Sequence, residues 1–305
     1  MKAAAWTVVA GGTVAPLARR RTRVPRAAVL ALAGAAPVAL CVALPRTRAR
    51  DAATVMLQMW AYVAAYEMPA DEPEALERRA RIDYPVRVDR ALGLGVPPGI
   101  RLQARWARPD LPFRRVEKVL VWSHWLWFFV PHGTAAYFLL RHHDRFERAA
   151  LMTYATFDVG VIAYWVLPTA PPWYAAEHGR LEAEGTPALQ RMMIRYGEEF
   201  WADRWTGLYD SLAQNPLAAM PSLHFATSVT AASLLSELGP VHALVGWTYA
   251  LTLGAALVYL GEHYVVDLLA GFALSRAVRR AEGPARPVFA RASRVVQALE
   301  ARARS

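Results

Sequence analysis

Met220-Pro221-Ser222-Leu223-His224 and His263-Tyr264-Val265-Val266-Asp267 bracket the stretch that decides the fold of this 305-residue chain. Two apolar runs lie between them, separated by Glu237-Leu238-Gly239-Pro240. About 20 apolar residues in a helix cross a bilayer, and each run is read as one crossing. A chain that leaves one membrane face and crosses twice returns to that face. His224 and His263 are therefore expected at one surface, although they are far apart in sequence.

The residue types around them predict phosphate chemistry. Pro221 suits the first turn of a helix, and Ser222 is a common helix-start residue. Free N–H groups and the positive dipole end of a helix start favour an anion. His224 is expected one turn in, beside that anion. His263 and Asp267 are spaced i, i+4 and share a helix face. A carboxylate on one imidazole nitrogen fixes the tautomer and leaves the other as nucleophile or base. A surface ion pair is the bland alternative. Ionisable groups in apolar spans are costly, however, and point to function. Two histidines, one oriented by Asp, suggest phosphoryl transfer through a phosphohistidine, with a His/Asp metal cluster as the rival.

Pro221-Ser222-Leu223-His224 and His263-Tyr264-Val265-Val266-Asp267 resemble the second and third signature motifs of the type 2 phosphatidic acid phosphatase superfamily. Leu223, where the common phosphatases carry Gly, and the HYxxD form of the last motif point to the inositol phosphorylceramide synthase-like, or inositolphosphotransferase, branch. Leu167-Pro168-Thr169-Ala170-Pro171-Pro172-Trp173 points the same way, so the resemblance covers about Tyr164 to Gly271. It implies that His263 is the nucleophile, that His224 protonates the leaving group and that Asp267 orients His263, with no metal or cofactor. The common phosphatases also carry Lys and Arg in the first motif and an Arg six residues before the nucleophile. Here the first motif has no base, and the latter position is Leu257.

Composition sets the class. Hydrophobic residues make up 55% of the chain, with 11 tryptophans, as in a polytopic membrane protein. The net charge of +10 is nearly all arginine and is read as loops facing lipid headgroups and cytoplasm, not as a nucleic-acid surface. Richness in Arg, Ala and Pro with little Lys points to a GC-rich bacterial genome, hence a bacterial plasma membrane. Cys41 is the sole cysteine, so no disulfide can form within the chain.

Residues 1–26 are read as polar and basic. Ala27–Pro45 is a span, an in-plane segment or an uncleaved signal-like segment, since no small-residue cleavage site follows. Ala52–Pro69 is a weaker span because of Gln58 and Glu67. From Asp71 to Arg115 the chain is charged: a helical stretch at Glu72–Arg81, a Gly/Pro break, then a short interfacial helix or solvated connector with Arg101, Arg105 and Arg108. Val116–Leu140 is the next span, with His124 and His132 nearly on one face, where they either line the cleft or are satisfied by a neighbouring helix. Arg141–Arg148 is a basic turn, and Ala149–Leu167 spans again.

Positive-inside reasoning puts that turn in the cytoplasm and Pro168–Ala219 outside. Glu177, Glu182, Glu184, Glu198, Glu199, Asp203 and Asp210 outnumber Arg180, Arg191, Arg195 and Arg204 in the outer loop. The site then opens outward and the arginine-rich tail lies in the cytoplasm; the basic Asp71–Arg115 segment dissents. In the outer loop, Pro171 and Trp173 shape the exit from the membrane, and Met192–Trp205 is expected to be an amphipathic helix capping the cleft. Ser222, Pro171, Trp173 and one of Arg191, Arg195 and Arg204 are expected to bind substrate, with Arg204 favoured as the phosphate cation.

The expectation is an all-α bundle of about six spans. Residues 1–115 form the N-terminal segment, 116–280 the catalytic core and 281–305 the tail. It is expected to act as a lipid phosphatase or phosphotransferase on a lipid phosphate in the bilayer, with water or an inositol-type alcohol as acceptor. A non-catalytic transporter or lipid-binding scaffold is the alternative.

Overall fold

A computed structural model describes residues 1–22, 24–108, 111–181, 189–205, 207 and 215–304. Glu182, Glu184 and Asp210, used in the charge count, lie outside the described residues. The described chain is an all-α membrane helix bundle. Its helices are α1 Lys2–Ala18, α2 Arg26–Ala43, α3 Arg48–Glu67, α4 Pro73–Glu77, α5 Asp83–Leu92, α6 Pro98–Trp106, α7 Arg115–Leu126, α8 Val130–Arg141, α9 His143–Val166, α10 Pro172–Glu177, α11 Met192–Trp201, α12 Leu223–Ser236, α13 Pro240–Tyr259 and α14 Val265–Arg304. Of these, α2, α9 and α13 are long and apolar enough to cross a membrane, whereas α12 is apolar but shorter.

Several expectations need correction. Residues 1–26 are not merely polar and basic, because 2–18 form α1. Gly12 of α1 packs so tightly that a β-carbon there would lie 2.5 Å from the Leu32 carbonyl oxygen. The helical stretch expected over Glu72–Arg81 shrinks to five residues, Pro73–Glu77. The Val116–Leu140 span is broken into α7 and α8. Pro131 has no N–H to continue the α-helical ladder, and Trp127, Phe128 and Phe129 bond three residues back, to the carbonyls of His124, Trp125 and Leu126. The 14 residues of α12 rise about 21 Å, short of the roughly 30 Å hydrocarbon core. α14 continues into the tail, through Pro284 and Pro287, to Arg304.

The chain divides into two compact units, residues 1–71 with 135–161 and 277–305, and residues 72–134 with 162–276. In the first, polar groups that weakened α3 as a span are paired. Gln58 donates to Asp158 at 2.8 Å, and Arg19 meets Glu67 at 2.7 Å and Asp71 at 2.8 Å. Buried Arg50 pairs with Glu300 at 2.8 Å.

In the second unit, α7, α12 and α13 pack together. Tyr249 Oη donates to the Ser123 carbonyl at 3.0 Å, and Tyr259 Oη donates to Glu117 at 2.8 Å. Residues 83–106 are built into this unit rather than forming a solvated connector. Gln103 of α6, 5% exposed, donates to the carbonyls of Tyr259 and Gln190 at 2.7 and 2.8 Å and accepts from Gln190 N–H at 2.8 Å. The Pro168–Ala170 exit is clamped on both sides. Thr169 N–H donates to Leu217 O at 2.8 Å, Ala219 N–H to Thr169 O at 3.1 Å, Arg81 N–H to Pro168 O at 2.8 Å and Ala170 N–H to Arg81 O at 3.0 Å. These contacts tie the first motif to the approach of the second.

Candidate active site

The site is made where α12 and α14 begin. Ser222 is the N-cap of α12, and its Oγ accepts from Phe225 N–H at 3.3 Å. Pro221 therefore lies one residue before the cap, not in the first turn, and His224 is the second helical residue. The two helix starts are joined directly, since Ser222 N–H donates to the Asp267 carbonyl at 3.0 Å. They approach closely because residue 271 is Gly; a β-carbon there would stand 2.5 Å from the Ser222 carbonyl oxygen. Tyr164 Oη donates to the Pro221 carbonyl at 2.9 Å and braces the same turn.

The turn between α13 and α14 delivers the other histidine. Gly261 takes φ +82°, which favours glycine. The N–H groups of Glu262 and His263 then both reach the Leu257 carbonyl at 3.0 Å. Leu257, where the common phosphatases have Arg, has a fully buried side chain. It serves the core and, through its carbonyl, the turn.

These elements bring three side chains into line. His224 Nδ1 lies 3.2 Å from His263 Nε2, and His263 Nδ1 lies 3.2 Å from Asp267 Oδ2. The same Oδ2 accepts from Tyr264 N–H at 3.0 Å. A carboxylate only accepts, so His263 carries its proton on Nδ1 and presents a bare Nε2. His224 must then donate from Nδ1 to that lone pair. The relay thus sets a basic nitrogen and a proton donor face to face. His263 and Asp267 are buried, while His224 is half-buried.

Three supports lie outside the motifs. Asp89 of α5, 1% exposed, accepts from the N–H groups of Val265 and Val266 at 3.1 and 3.0 Å. It caps the first turn of α14 from a distant helix. Burial pushes its carboxyl up, against the opposing effect of those two N–H groups. Its signal in the sequence was an acidic residue on the buried Pro85-Val86 face of α5. At the end of α7, His124 stacks on His224 at 4.9 Å, and the Trp127 ring lies 4.1 Å from it. Trp127 Nε1 donates to Thr227 at 2.9 Å, so the clamp is fixed to α12 itself. Tyr84, the third support, bonds Thr169 at 2.7 Å and donates to Met220 Sδ at 3.1 Å.

The remaining expected residues divide by position. Arg191 lies beside the site: its guanidinium sits 3.5 Å over the Trp173 ring and its Nε is 3.6 Å from Glu262 Oε1. Arg195 donates to Gln190 Oε1 at 3.1 Å and to the Leu111 carbonyl at 3.3 Å, with its guanidinium over Phe113. Arg204 is exposed on the 3₁₀ turn Ala202–Arg204. Pro171 is buried at the N-cap of α10, and Trp173 is half-buried. The expected helix after Arg191 is α11, which buries Met192, Met193, Tyr196 and Gly197 and stacks Tyr196 on Trp125 of α7. His132 lies in α8 and is half-buried. No group of three or more His, Cys, Asp or Glu side chains is arranged to hold a metal ion among the described residues.

An all-α membrane bundle with paired histidines, one oriented by Asp, defines the class. The family follows from comparison: the chain belongs to the PAP2 superfamily, whose model matches residues 84–278. It is 30% identical over 150 residues to the phosphoinositol dihydroceramide synthase of Bacteroides thetaiotaomicron, covering 46% of each chain. It is 30% identical over 123 residues to the inositol phosphorylceramide synthase catalytic subunit of Schizosaccharomyces pombe, covering 38% of this chain and 28% of that one. It is 34% identical over 125 residues to the inositol phosphorylceramide synthase of Candida albicans, covering 39% and 26%. The matched region is less than half the length of each of these relatives. No solved structure matches significantly.

Proposed function

We propose that this chain is a membrane lipid phosphotransferase that works through a phosphohistidine on His263. The hydrogen-bonded line His224–His263–Asp267 is the observation that carries the reading. The Nε2 lone pair of His263 attacks phosphorus, the ester P–O bond breaks, and the departing oxygen takes the Nδ1 proton of His224. An acceptor hydroxyl then gives its proton to His224 and attacks phosphorus, breaking the P–N bond. The entering phosphoryl group displaces the direct His224–His263 contact and takes its place between the two nitrogens.

The phosphate charge goes to Arg191 in preference to Arg204. Arg191 neighbours both Glu262, the residue before His263, and Trp173, whereas Arg204 is exposed. A guanidinium holds phosphate oxygens in a fork. Ser222 sets the helix start that faces the anion. Pro171 shapes the wall carrying Trp173, and Arg195 positions Gln190 next to Arg191. The catalytic core begins near residue 84 rather than 116, because Asp89 and Gln103 support it. The excess of acidic over basic residues in the loop before His224 and the arginine-rich end of α14 support a site on the extracytoplasmic face, with α14 ending in the cytoplasm. The names of the relatives favour an inositol-phosphate group as the unit transferred.

The test is turnover by the purified chain in detergent on a panel of labelled lipid phosphates, with and without inositol. The reading predicts turnover by the wild type and its loss in His263→Ala with unchanged helicity. Equal turnover in that folded variant would contradict it.

A further inference from the structure

The carboxylate beside the nucleophile takes no part in the relay. Glu262 immediately precedes His263 in the turn after α13, and its side chain is only 10% exposed. Its Oε1 is buried and accepts no hydrogen bond among the described residues. Arg191 balances the charge, but its Nε stands 3.6 Å from that oxygen, outside hydrogen-bond range. The guanidinium is held instead against the Trp173 ring at 3.5 Å. Burial pushes the Glu262 carboxyl up, and Arg191 and His263 oppose the shift. A buried acceptor without a hydrogen bond is destabilising, and a donor brought by a ligand relieves it.

The chemistry of Glu262 limits what can meet it. A carboxylate accepts and does not donate, and it repels phosphate oxygens, so a bare phosphomonoester gains nothing from it. An ammonium headgroup would suit the carboxylate but meets the Arg191 charge on Trp173. A neutral hydroxyl satisfies both neighbours. We propose that Glu262 is a specificity-determining residue, whose open oxygen takes a hydroxyl of a polyhydroxylated group while Arg191 holds the adjacent phosphate. The group is either the headgroup esterified to the phosphate or the free acceptor alcohol. Glu262 makes and breaks no bond; it orients the group whose phosphorus His263 attacks or whose oxygen attacks phosphohistidine. This rests on the phosphotransfer reading above.

The experiment reads two ratios in the purified full chain, wild type against Glu262→Gln. One is kcat/KM for phosphatidylinositol over phosphatidylethanolamine. The other is transfer to free inositol over hydrolysis, with labelled phosphatidic acid as donor. Glu262→Gln keeps an acceptor oxygen but removes its charge, and a charged acceptor bonds about twice as strongly as a neutral one. A fall of about five- to tenfold in one of the two ratios is therefore predicted. A fall in the first assigns the subsite to the headgroup, and a fall in the second assigns it to the acceptor. Partial unfolding lowers numerator and denominator together, so it leaves the ratios unmoved. If both ratios in Glu262→Gln match the wild type, the proposal is overturned. A wild type that turns over none of these lipids overturns the phosphotransfer reading itself.

Discussion

Asp267 acts through a single oxygen, Oδ2, which accepts from both His263 Nδ1 and Tyr264 N–H. Asp267→Asn keeps the volume but can donate to Nδ1, which moves the imidazole proton to Nε2 and removes the nucleophile. Turnover is expected to fall by about 10³–10⁴, by analogy with the same change in serine-protease triads, with little change in unfolding temperature. A loss under tenfold would show that Asp267 does not set the tautomer. The same geometry predicts that EDTA leaves turnover intact, since both nitrogens of His263 are committed to Asp267 and His224. Abolition by EDTA with rescue by zinc or magnesium would contradict this. Asp89→Ala strands two part-buried N–H groups, at up to roughly 1–3 kcal/mol each before relaxation. Denaturant unfolding should show a loss of about 2–4 kcal/mol; a change under 0.5 kcal/mol would mean the cap is dispensable. The histidines and Asp267 were legible because their partners follow a short spacing or a motif. Asp89 was not, because its partners lie 176 and 177 positions away. Arg191 was named as one of three cations, but only the fold distinguishes it from Arg204.

At the scale of elements, the site depends on how closely α14 passes the start of α12. Gly271→Ala weighs two opposing effects. Helix propensity favours Ala by about 1 kcal/mol. Against it, the new β-carbon meets the backbone oxygen of Ser222 at 2.5 Å, and a backbone atom cannot step aside as a side chain can. Overpacking of this kind costs about 1–3 kcal/mol, so net destabilisation is expected. Turnover should fall further than stability, because the shift separates the Ser222 and Asp267 segments. A more stable and fully active Gly271→Ala would contradict the close-approach argument. The break at Glu237–Pro240 and the helical character of both flanking runs were legible from Gly239 and Pro240. The shortness of α12 was not, because apolar composition continues across the turns where hydrogen bonding stops. The break between α7 and α8 was hidden in the same way, with only Pro131 to mark it in an otherwise aromatic run. Residues 83–106 carried a connector's composition; their buried Asp89 and Gln103 acquire meaning only from the helices they hold.

For the whole molecule, charge and hydropathy gave the all-α membrane class at once. They did not reveal the two-unit division, which depends on contacts between distant segments such as Arg50 with Glu300. In the first unit, burial pushes the Asp71 carboxyl up, but hydrogen bonds and charge from Arg19 and Arg20 outweigh it and hold it below its ordinary 3.8. A depressed carboxyl stabilises the fold above its unfolded value and loses that contribution as pH falls through the native one. The stability gap between wild type and Asp71→Asn should therefore be full at pH 7 and close below about pH 4; a gap independent of pH would contradict the pairing. The account of the molecule turns finally on where phosphorus is held. Rapid quenching of the wild type with a ³²P-labelled lipid substrate, followed by peptide mapping, tests it directly. The account predicts an acid-labile, alkali-stable label on the peptide carrying His263 and no label in His263→Ala. Label on His224, or turnover with no labelled histidine at any quench time, would contradict it.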